Sequence, residues 1–401
     1  MATGNPELPE LYPVTGFKLG TTSAGIKISG RPDLVVMEID KGSSVAALFT
    51  KNLFCAAPVV VCKERLSRCQ PLYLVTNTGN ANAGTGEQGL LDATSTCSCL
   101  ASIAHVDIDT VLPFSTGVIG ELMPMDKLLA GLPDAFKNLS ATGWIDAANG
   151  ILTTDTRPKG SSLRFGDNSP VTITGIAKGS GMIKPNMATM LAYIATDALI
   201  DQELLHTALV SATERSFNRI TVDSDTSTND SVVLIATGAS GIVVDELSFD
   251  TFVEHLTRIF INLAQAIIRD AEGATKFVSV TVDTAITCSE ALKVAYTIAE
   301  SPLVKTALSA SDPNWGRILA AIGRSGIGDL DVNNVQILLN SVLIADHGAR
   351  AESYSEKLGK AAMKSEDIEI RVCLNRGDFS ETVWTSDLTH EYVRINAEYR
   401  T

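Results

Sequence analysis

Phe252, Leu256, Ile259, Phe260, Leu263 and Ile267 recur at three- and four-residue steps, and that spacing predicts a long amphipathic helix over 250–269. Asp250 is expected to cap its start, and Arg269 to sit against its negative C-terminal end. Thr287 with Glu290 forms a capping-box pair for a second helix, which Ser301-Pro302 is expected to stop. A different period runs through 368–374, where Ile-Glu-Ile-Arg-Val-Cys-Leu alternates as a half-buried strand does. Leu72–Val75 and Val232–Ile235 are short unbroken apolar runs of the buried-strand type, and 277–282 is a further strand candidate. The pattern is mixed α and β, without an internal repeat, a low-complexity tract or an obvious linker.

Composition narrows the picture. A chain of 401 residues exceeds what one hydrophobic core usually organises, so two lobes are expected. With 45% hydrophobic and 19% charged residues the chain is globular rather than disordered. A formal net charge of −14 argues against broad binding to nucleic acid or anionic membrane, though it leaves room for a small cationic pocket. The first residues, Met1-Ala2-Thr3-Gly4-Asn5-Pro6-Glu7, have neither the basic start nor the apolar segment of a signal peptide. No run approaches the roughly 20 apolar residues of a membrane helix, so the chain reads as soluble and cytosolic. Its seven cysteines are irregularly spaced without a Cys-x-x-Cys pair, and its five histidines are scattered. Both facts argue against a zinc site and for free thiols in a reducing compartment.

The chemistry concentrates in residues 178–191, Lys-Gly-Ser-Gly-Met-Ile-Lys-Pro-Asn-Met-Ala-Thr-Met-Leu. Ala188, a small residue, precedes Thr189 at the mouth of an apolar run, behind a glycine-rich turn and two lysines. A chain that cut itself at Ala188-Thr189 would expose a threonine carrying nucleophile and base on one residue. The freed α-amine would titrate at roughly 7.7–8.0, near the working pH where a general base is most effective. By spacing alone such a threonine is more often a strand residue with its methyl in a core. The glycine-lysine turn and the lack of a competing histidine or cysteine constellation favour the catalytic reading.

Two other motifs carry less. Gly84-Thr85-Gly86-Glu87-Gln88-Gly89 fits Gly-x-Gly-x-x-Gly, with Asp109 about twenty residues on. The Asn/Ala-rich stretch after Val75 is expected to separate it from the preceding strand, against the tight strand-to-helix turn of a dinucleotide site. Asp223-Ser224-Asp225 has the start of a calcium loop but no glycine at the sixth position, so a hydrogen-bonded turn is expected.

Residues 178–191 resemble the self-processing signature of bacterial ornithine acetyltransferases, also called bifunctional glutamate N-acetyltransferases. The resemblance extends to Phe114–Glu121, Asn77–Ala83, Leu152–Thr156, Thr221–Asp230, Glu272–Lys276, Asn314–Arg317 and Ile395–Thr401, in family order over nearly the whole chain. Departures are small: Gly84 stands where cysteine is expected, Thr78 where serine is commoner, and Pro313 where alanine is commoner. The resemblance implies an α/β fold of the α+β type, its sheets layered with helices, similar to N-terminal-nucleophile enzymes and D-aminopeptidases. It implies two products of self-cleavage, an α chain 1–188 and a β chain 189–401, held together as a heterodimer and paired into a heterotetramer.

It also assigns roles. Thr189 takes acetyl from N2-acetylornithine and passes it to glutamate in arginine biosynthesis, with ping-pong kinetics and no metal or bound cofactor. Acetyl-CoA stands as an alternative donor that the motifs leave open. Acyl transfer needs two preset donors for a tetrahedral oxyanion. Thr116 and Gly117 are expected to supply them at an exposed turn. Lys178 is expected to hold a substrate carboxylate, Thr153 to contact substrate through its hydroxyl, and Glu272, at the end of the long helix, to meet the amino group of ornithine. Asn396 and Thr401 are assigned to the same pocket although chain ends usually fray. The nearer competing reading is an N-terminal-nucleophile aminopeptidase or amidase in which water resolves the acyl-enzyme. The farther is a non-catalytic nucleotide binder using the loop at Gly84.

Overall fold

The computed structural model describes residues 2–5, 7–166, 170–184 and 190–398. Two compact units are formed, a larger one of Glu7–Asn218 with Thr226–Ile267, and a smaller one of Met1–Pro6, Arg219–Asp225 and Ile268–Thr401. In chain order the elements are β1 (Phe17–Thr22), β2 (Leu34–Ile39), β3 (Ser44–Phe49), α1 (Ala57–Leu66), β4 (Tyr73–Asn80), α2 (Gly86–Ala104), β5 (Val111–Val118), α3 (Met125–Lys137), α4 (Trp144–Gly150), β6 (Lys159–Phe165), β7 (Val171–Lys178), β8 (Leu191–Thr196), β9 (Leu199–Ile200) and α5 (Gln202–Glu214). They continue with β10 (Ile220–Thr221), β11 (Ser231–Ala236), β12 (Val243–Val244), α6 (Phe249–Arg269), β13 (Phe277–Ala285), α7 (Cys288–Ala299), α8 (Pro302–Ser309), α9 (Trp315–Gly323), β14 (Gln336–Leu339), β15 (Val342–Asp346), β16 (Ala349–Arg350), α10 (Glu356–Ala362), β17 (Asp367–Cys373), β18 (Phe379–Ser386) and α11 (His390–Ala397).

The larger unit is layered. One sheet runs β1-β2-β4-β5, a second β3-β11-β8-β7-β6, and β12 pairs with β9 beside them. Phe17, Met37, Leu74 and Phe114 of the first sheet share a core with Ile176, Leu191, Tyr193 and Val233 of the second, closed by Trp144 of α4. Phe114 and Tyr193 meet edge to face across it, ring centroids 5.4 Å apart, and the Tyr193 hydroxyl finds Thr76 Oγ1 at 2.7 Å. Helices α2 and α3 cover the other face of the first sheet through Cys97, Leu100, Leu128 and Leu132. On the second sheet α6 meets β6 through Phe252 and Phe165. The six apolar residues that mark the period of α6 are all fully buried, each contributing roughly 1.5–3 kcal/mol relative to exposure.

In the smaller unit the sheet order is β10-β18-β13-β17-β14-β15-β16. Val278, Val280 and Val282 of β13 and Ile368, Ile370 and Val372 of β17 present one face to Val294, Ile298 and Ile322 of the helices. Strand β17 keeps the expected alternation, with Glu369 and Arg371 only partly buried between its apolar positions.

Most element expectations hold, with three differences. Helix α6 begins at Phe249, so Asp250 lies in its first turn rather than at the cap; Asp245, accepting from Leu247 N and Ser248 N, shapes the turn just before. Thr287 caps α7 by accepting from Glu290 N at 3.1 Å, but the Glu290 carboxylate returns to Ile286 N, one residue ahead of the standard partner. Ser301 ends the region of α7 by starting another helix, capping α8 through Val304 N with Pro302 in its first turn.

Candidate active site

Strands β7 and β8 are antiparallel neighbours whose register runs from Ile173 opposite Thr196 to Lys178 opposite Leu191. Both are buried along their whole length. The segment carrying Ala188-Thr189 connects them; Ala188 and Thr189, like Thr401, lie outside the described residues.

Lys178 ends β7. It is buried, with only 8% of the residue exposed. Its Nζ lies 3.9 Å from Asp155 Oδ2, while Lys159 Nζ donates to Asp155 Oδ1 at 2.6 Å. Asp155 also accepts from Gly179 N at 2.6 Å and from Thr153 N at 3.1 Å. Burial alone would raise its carboxyl. The Lys159 and Lys178 ammoniums and the hydrogen bonds from Lys159 and Gly179 overcome that and hold it well below the usual carboxylate range. The aspartate is therefore a fixed anion on which two ammonium groups converge, and it ties Thr153 to the start of the glycine turn. Thr154 Oγ1 and Ser180 Oγ, 2.7 Å apart, make a second tie between the same segments.

Thr116 and Gly117 lie within β5, largely buried, and not at the exposed turn expected of them. Parallel pairing sets Thr116 opposite Thr78 and Gly117 opposite Gly79, with an irregularity at Gly79/Asn80. Gly117 has φ +140°, and a Cβ there would stand 2.2 Å from the carbonyl carbon of Gly79 and 2.4 Å from Asn80 N. The two strands thus approach as closely as backbone allows, which only glycine permits.

A buried polar scaffold fixes that approach. Ser115 Oγ donates to Asn77 Oδ1 at 2.6 Å, Asn77 Nδ2 to Asn80 O at 2.9 Å, and Asn229 Nδ2 to Ala81 O at 2.6 Å and Ser115 O at 2.8 Å. Asn80 in turn accepts from Asn82 N and donates to the carbonyls of Glu121 and Leu122. Asn77 and Asn80 of the Asn77–Ala83 block, and Asn229 of the Thr221–Asp230 block, are here the support for β5 and the segment after it.

In the smaller unit Glu272 stands three residues beyond the end of α6 and is buried, not a helix-end surface residue. Its Oε2 accepts from Asn396 Nδ2 of α11 at 2.7 Å, so two residues assigned to one pocket are in direct contact. Thr389 Oγ1 donates to Gly273 O at 2.8 Å, fastening the same loop to the approach to α11.

The glycine loop requires a correction. Strand β4 runs on to Asn80 and α2 opens at Gly86, so the separating stretch shrinks to Ala81, Asn82 and Ala83. The loop is occupied by its own turn: Thr85 Oγ1 donates to Asn82 Oδ1 and Asn82 Nδ2 to Gly89 O, both at 2.9 Å. Asp223 forms the expected turn with Asp225 N and accepts from Tyr392 at 3.0 Å. Among the described residues no group of three or more His, Cys, Asp or Glu side chains is arranged to hold a metal.

The larger unit is thus a layered α/β fold with buried polar clusters at its strand ends, and the fold alone leaves the activity to its relatives. A family model described as the ArgJ family matches residues 18–401. Proteins described as arginine biosynthesis bifunctional protein ArgJ are 54% identical in Pseudomonas fluorescens (strain Pf0-1) and 52% identical in Psychrobacter arcticus (strain DSM 17307 / VKM B-2377 / 273-4), over 406 residues and 100% of each chain. A crystal structure of arginine biosynthesis bifunctional protein ArgJ from Bacillus halodurans is similar at 40% identity and TM-score 0.51, covering 53% of this chain and 100% of that one. The chain belongs to the ArgJ family.

Proposed function

We propose that this chain transfers acetyl from N2-acetylornithine to glutamate through an acetyl-enzyme on Thr189. The observation that carries the reading is the 54% identity along the entire chain with a protein named for arginine biosynthesis. Thr189 first attacks the Ala188 carbonyl, and hydrolysis of the resulting ester leaves chains 1–188 and 189–401. Its freed α-amine then removes the hydroxyl proton as Thr189 Oγ attacks the acetyl carbonyl. Thr116 Oγ1 and Gly117 N donate to the oxyanion, on a strand end held rigid by Asn77, Ser115 and Asn229. Lys178 holds a substrate carboxylate, Thr153 positions the substrate beside it, and Glu272 with Asn396 and Thr401 receives the amino end of ornithine. Ornithine leaves, glutamate enters, and its amine takes the acetyl group; no metal or bound cofactor enters this scheme.

The cut at Ala188-Thr189 is supported by a length. The Bacillus halodurans chain, matched over its whole length, covers 53% of this chain, the share that 213 of the 401 residues, 189–401, make up. The chains stay together as a heterodimer, in pairs as a heterotetramer, in the cytoplasm. No helix among the described residues is long and apolar enough to cross a membrane. The relatives' name, bifunctional, supports a second activity, for which we take acetyl-CoA as donor.

The test is acetyl transfer from N2-acetylornithine labelled in the acetyl group. Glutamate-dependent labelled N-acetylglutamate, formed without coenzyme A, is expected. Labelled acetate released at the same rate with and without glutamate would replace the reading by an amidase.

A further inference from the structure

The loop that carries Glu272 stays bonded to its own helix near its start, through Ala271 N to Ile268 O at 3.1 Å. Helix α6 ends at Arg269 and β13 begins only at Phe277, so the seven residues between need another support. Lys276 Nζ donates to Met363 O and Ser365 O, and the rest of the support comes from Asp387, on the link between β18 and α11, more than a hundred residues away in sequence. Its Oδ1 accepts from Thr275 N at 2.8 Å and Lys276 N at 3.0 Å, and its Oδ2 from Thr275 Oγ1 at 2.6 Å. Asp387 is itself 3% exposed. The link is braced behind by the buried Lys305, whose Nζ donates to Ser386 O and to Thr385 Oγ1.

One carboxylate therefore joins the backbone just after Glu272 to the backbone just before α11, the helix that presents Asn396. Two further contacts keep the joined segments in register. Thr389 Oγ1 donates to Gly273 O, and Gly273, at φ +70°, lies so close that a Cβ would stand 2.7 Å from Tyr392 N. Next along the same interface Asn396 reaches Glu272. Backbone N–H groups bonded to a carboxylate are among the stronger hydrogen bonds, and the one from Lys276 is buried.

We propose that Asp387 is a positioning residue that sets the Glu272–Asn396 pair, and through it the affinity for the amino end of the acetyl donor. The proposal rests on the reading of Glu272 given above. Asp387 touches no substrate in this scheme; it fixes two segments whose side chains do. Asp387 has no part in the proposed attack of Thr189 on Ala188, so its variants are expected to self-process.

The test is a double-mutant cycle in the full chain with N2-acetylornithine as the varied substrate. Asp387→Ala is expected to be cut normally and to raise KM for N2-acetylornithine about tenfold, as Glu272→Ala does, while the double variant is no worse than Glu272→Ala alone. Asp387→Asn, which keeps an acceptor for both backbone N–H groups, should restore most of the affinity. If Asp387→Ala does not fold, Asp387→Asn and Thr389→Val enter the cycle in its place, with smaller rises that again vanish in the Glu272→Ala background. KM changes that simply add to those of Glu272→Ala, or a lowered Tm with unchanged KM, would overturn the positioning role. Glu272→Ala with unchanged KM would overturn the reading of Glu272 itself and this proposal with it, whereas acetyl transfer would survive.

Discussion

Lys178 and Leu191 face one another as the last pair of the antiparallel β7–β8 ladder. The proposed cut between 188 and 189 falls in the connection between them, so it would sever the chain without separating the strands. Six register pairs from Ile173 to Lys178 remain on the β7 side, and β8 is paired on its other edge with β11. Both strands are buried, and pulling them apart would expose the apolar core they share with the first sheet. The cleaved protein is therefore expected to run as one species by native mass spectrometry and to separate into its chains only in denaturant. Chains that part without denaturant would contradict the fold as described.

The two lysines on Asp155 should behave differently. Lys159 is buried against Asp155 at 2.6 Å, and removing one partner of a buried pair costs about 3–5 kcal/mol. Lys159→Ala should thus be markedly less stable in denaturant titration. Lys178→Ala leaves Asp155 with Lys159, Gly179 N and Thr153 N, so its stability should change far less. It should instead raise KM for substrates bearing a carboxylate. An unchanged KM would remove Lys178 from the pocket.

Gly117 tolerates no side chain. A Cβ at 2.2 Å from backbone cannot be relieved by a rotamer change, and overpacking of that kind costs about 1–3 kcal/mol or more. Gly117→Ala should lower Tm and abolish acetyl transfer together. Gly120→Ala, at φ +82° with nothing within 4 Å, should show only the conformational cost of about 1–2 kcal/mol and keep the reaction. Equal behaviour of the two variants would mean that the close approach of β4 and β5 does not shape the site.

Lys305 should leave a signature in the pH dependence of stability. Burial pushes its ammonium down from an ordinary 10.5 to about 8, only partly offset by Asp387, Asp223 and Glu300. Between those values the unfolded chain holds a proton that the native protein has released, so stability rises with pH over that window. Wild type should gain on Lys305→Met between pH 8 and 10.5, by at most roughly 3 kcal/mol. A pH-independent difference in unfolding free energy between the two would contradict the depressed value.

Local pattern carried the elements well and their partnerships poorly. The period of α6, the alternation of β17 and the Thr287 cap depend on neighbours within a few residues, which a sequence displays directly. Asp155 was legible in part, since Asp155 and Lys159 stand four residues apart, but Thr153-Thr154-Asp155-Thr156 also reads as a turn. Nothing near Asn229 marks it as a support for Ala81 and Ser115, over a hundred residues away. The same holds for Asp387 and Thr275. Thr-Gly reads as turn chemistry, which points Thr116-Gly117 to an exposed turn. A glycine in a strand can equally mark close backbone approach, which is its use here.

In the proposed scheme everything turns on Thr189 becoming the amino-terminal nucleophile. Denaturing mass spectrometry of the folded protein, with sequencing of any internal amino terminus, tests it most directly. Two chains are expected, 1–188 and 189–401, the second beginning at Thr189, and a single full-length chain for Thr189→Ala. A folded wild-type protein that transfers acetyl while intact, or a Thr189→Ala variant still cut at the same bond, would contradict it.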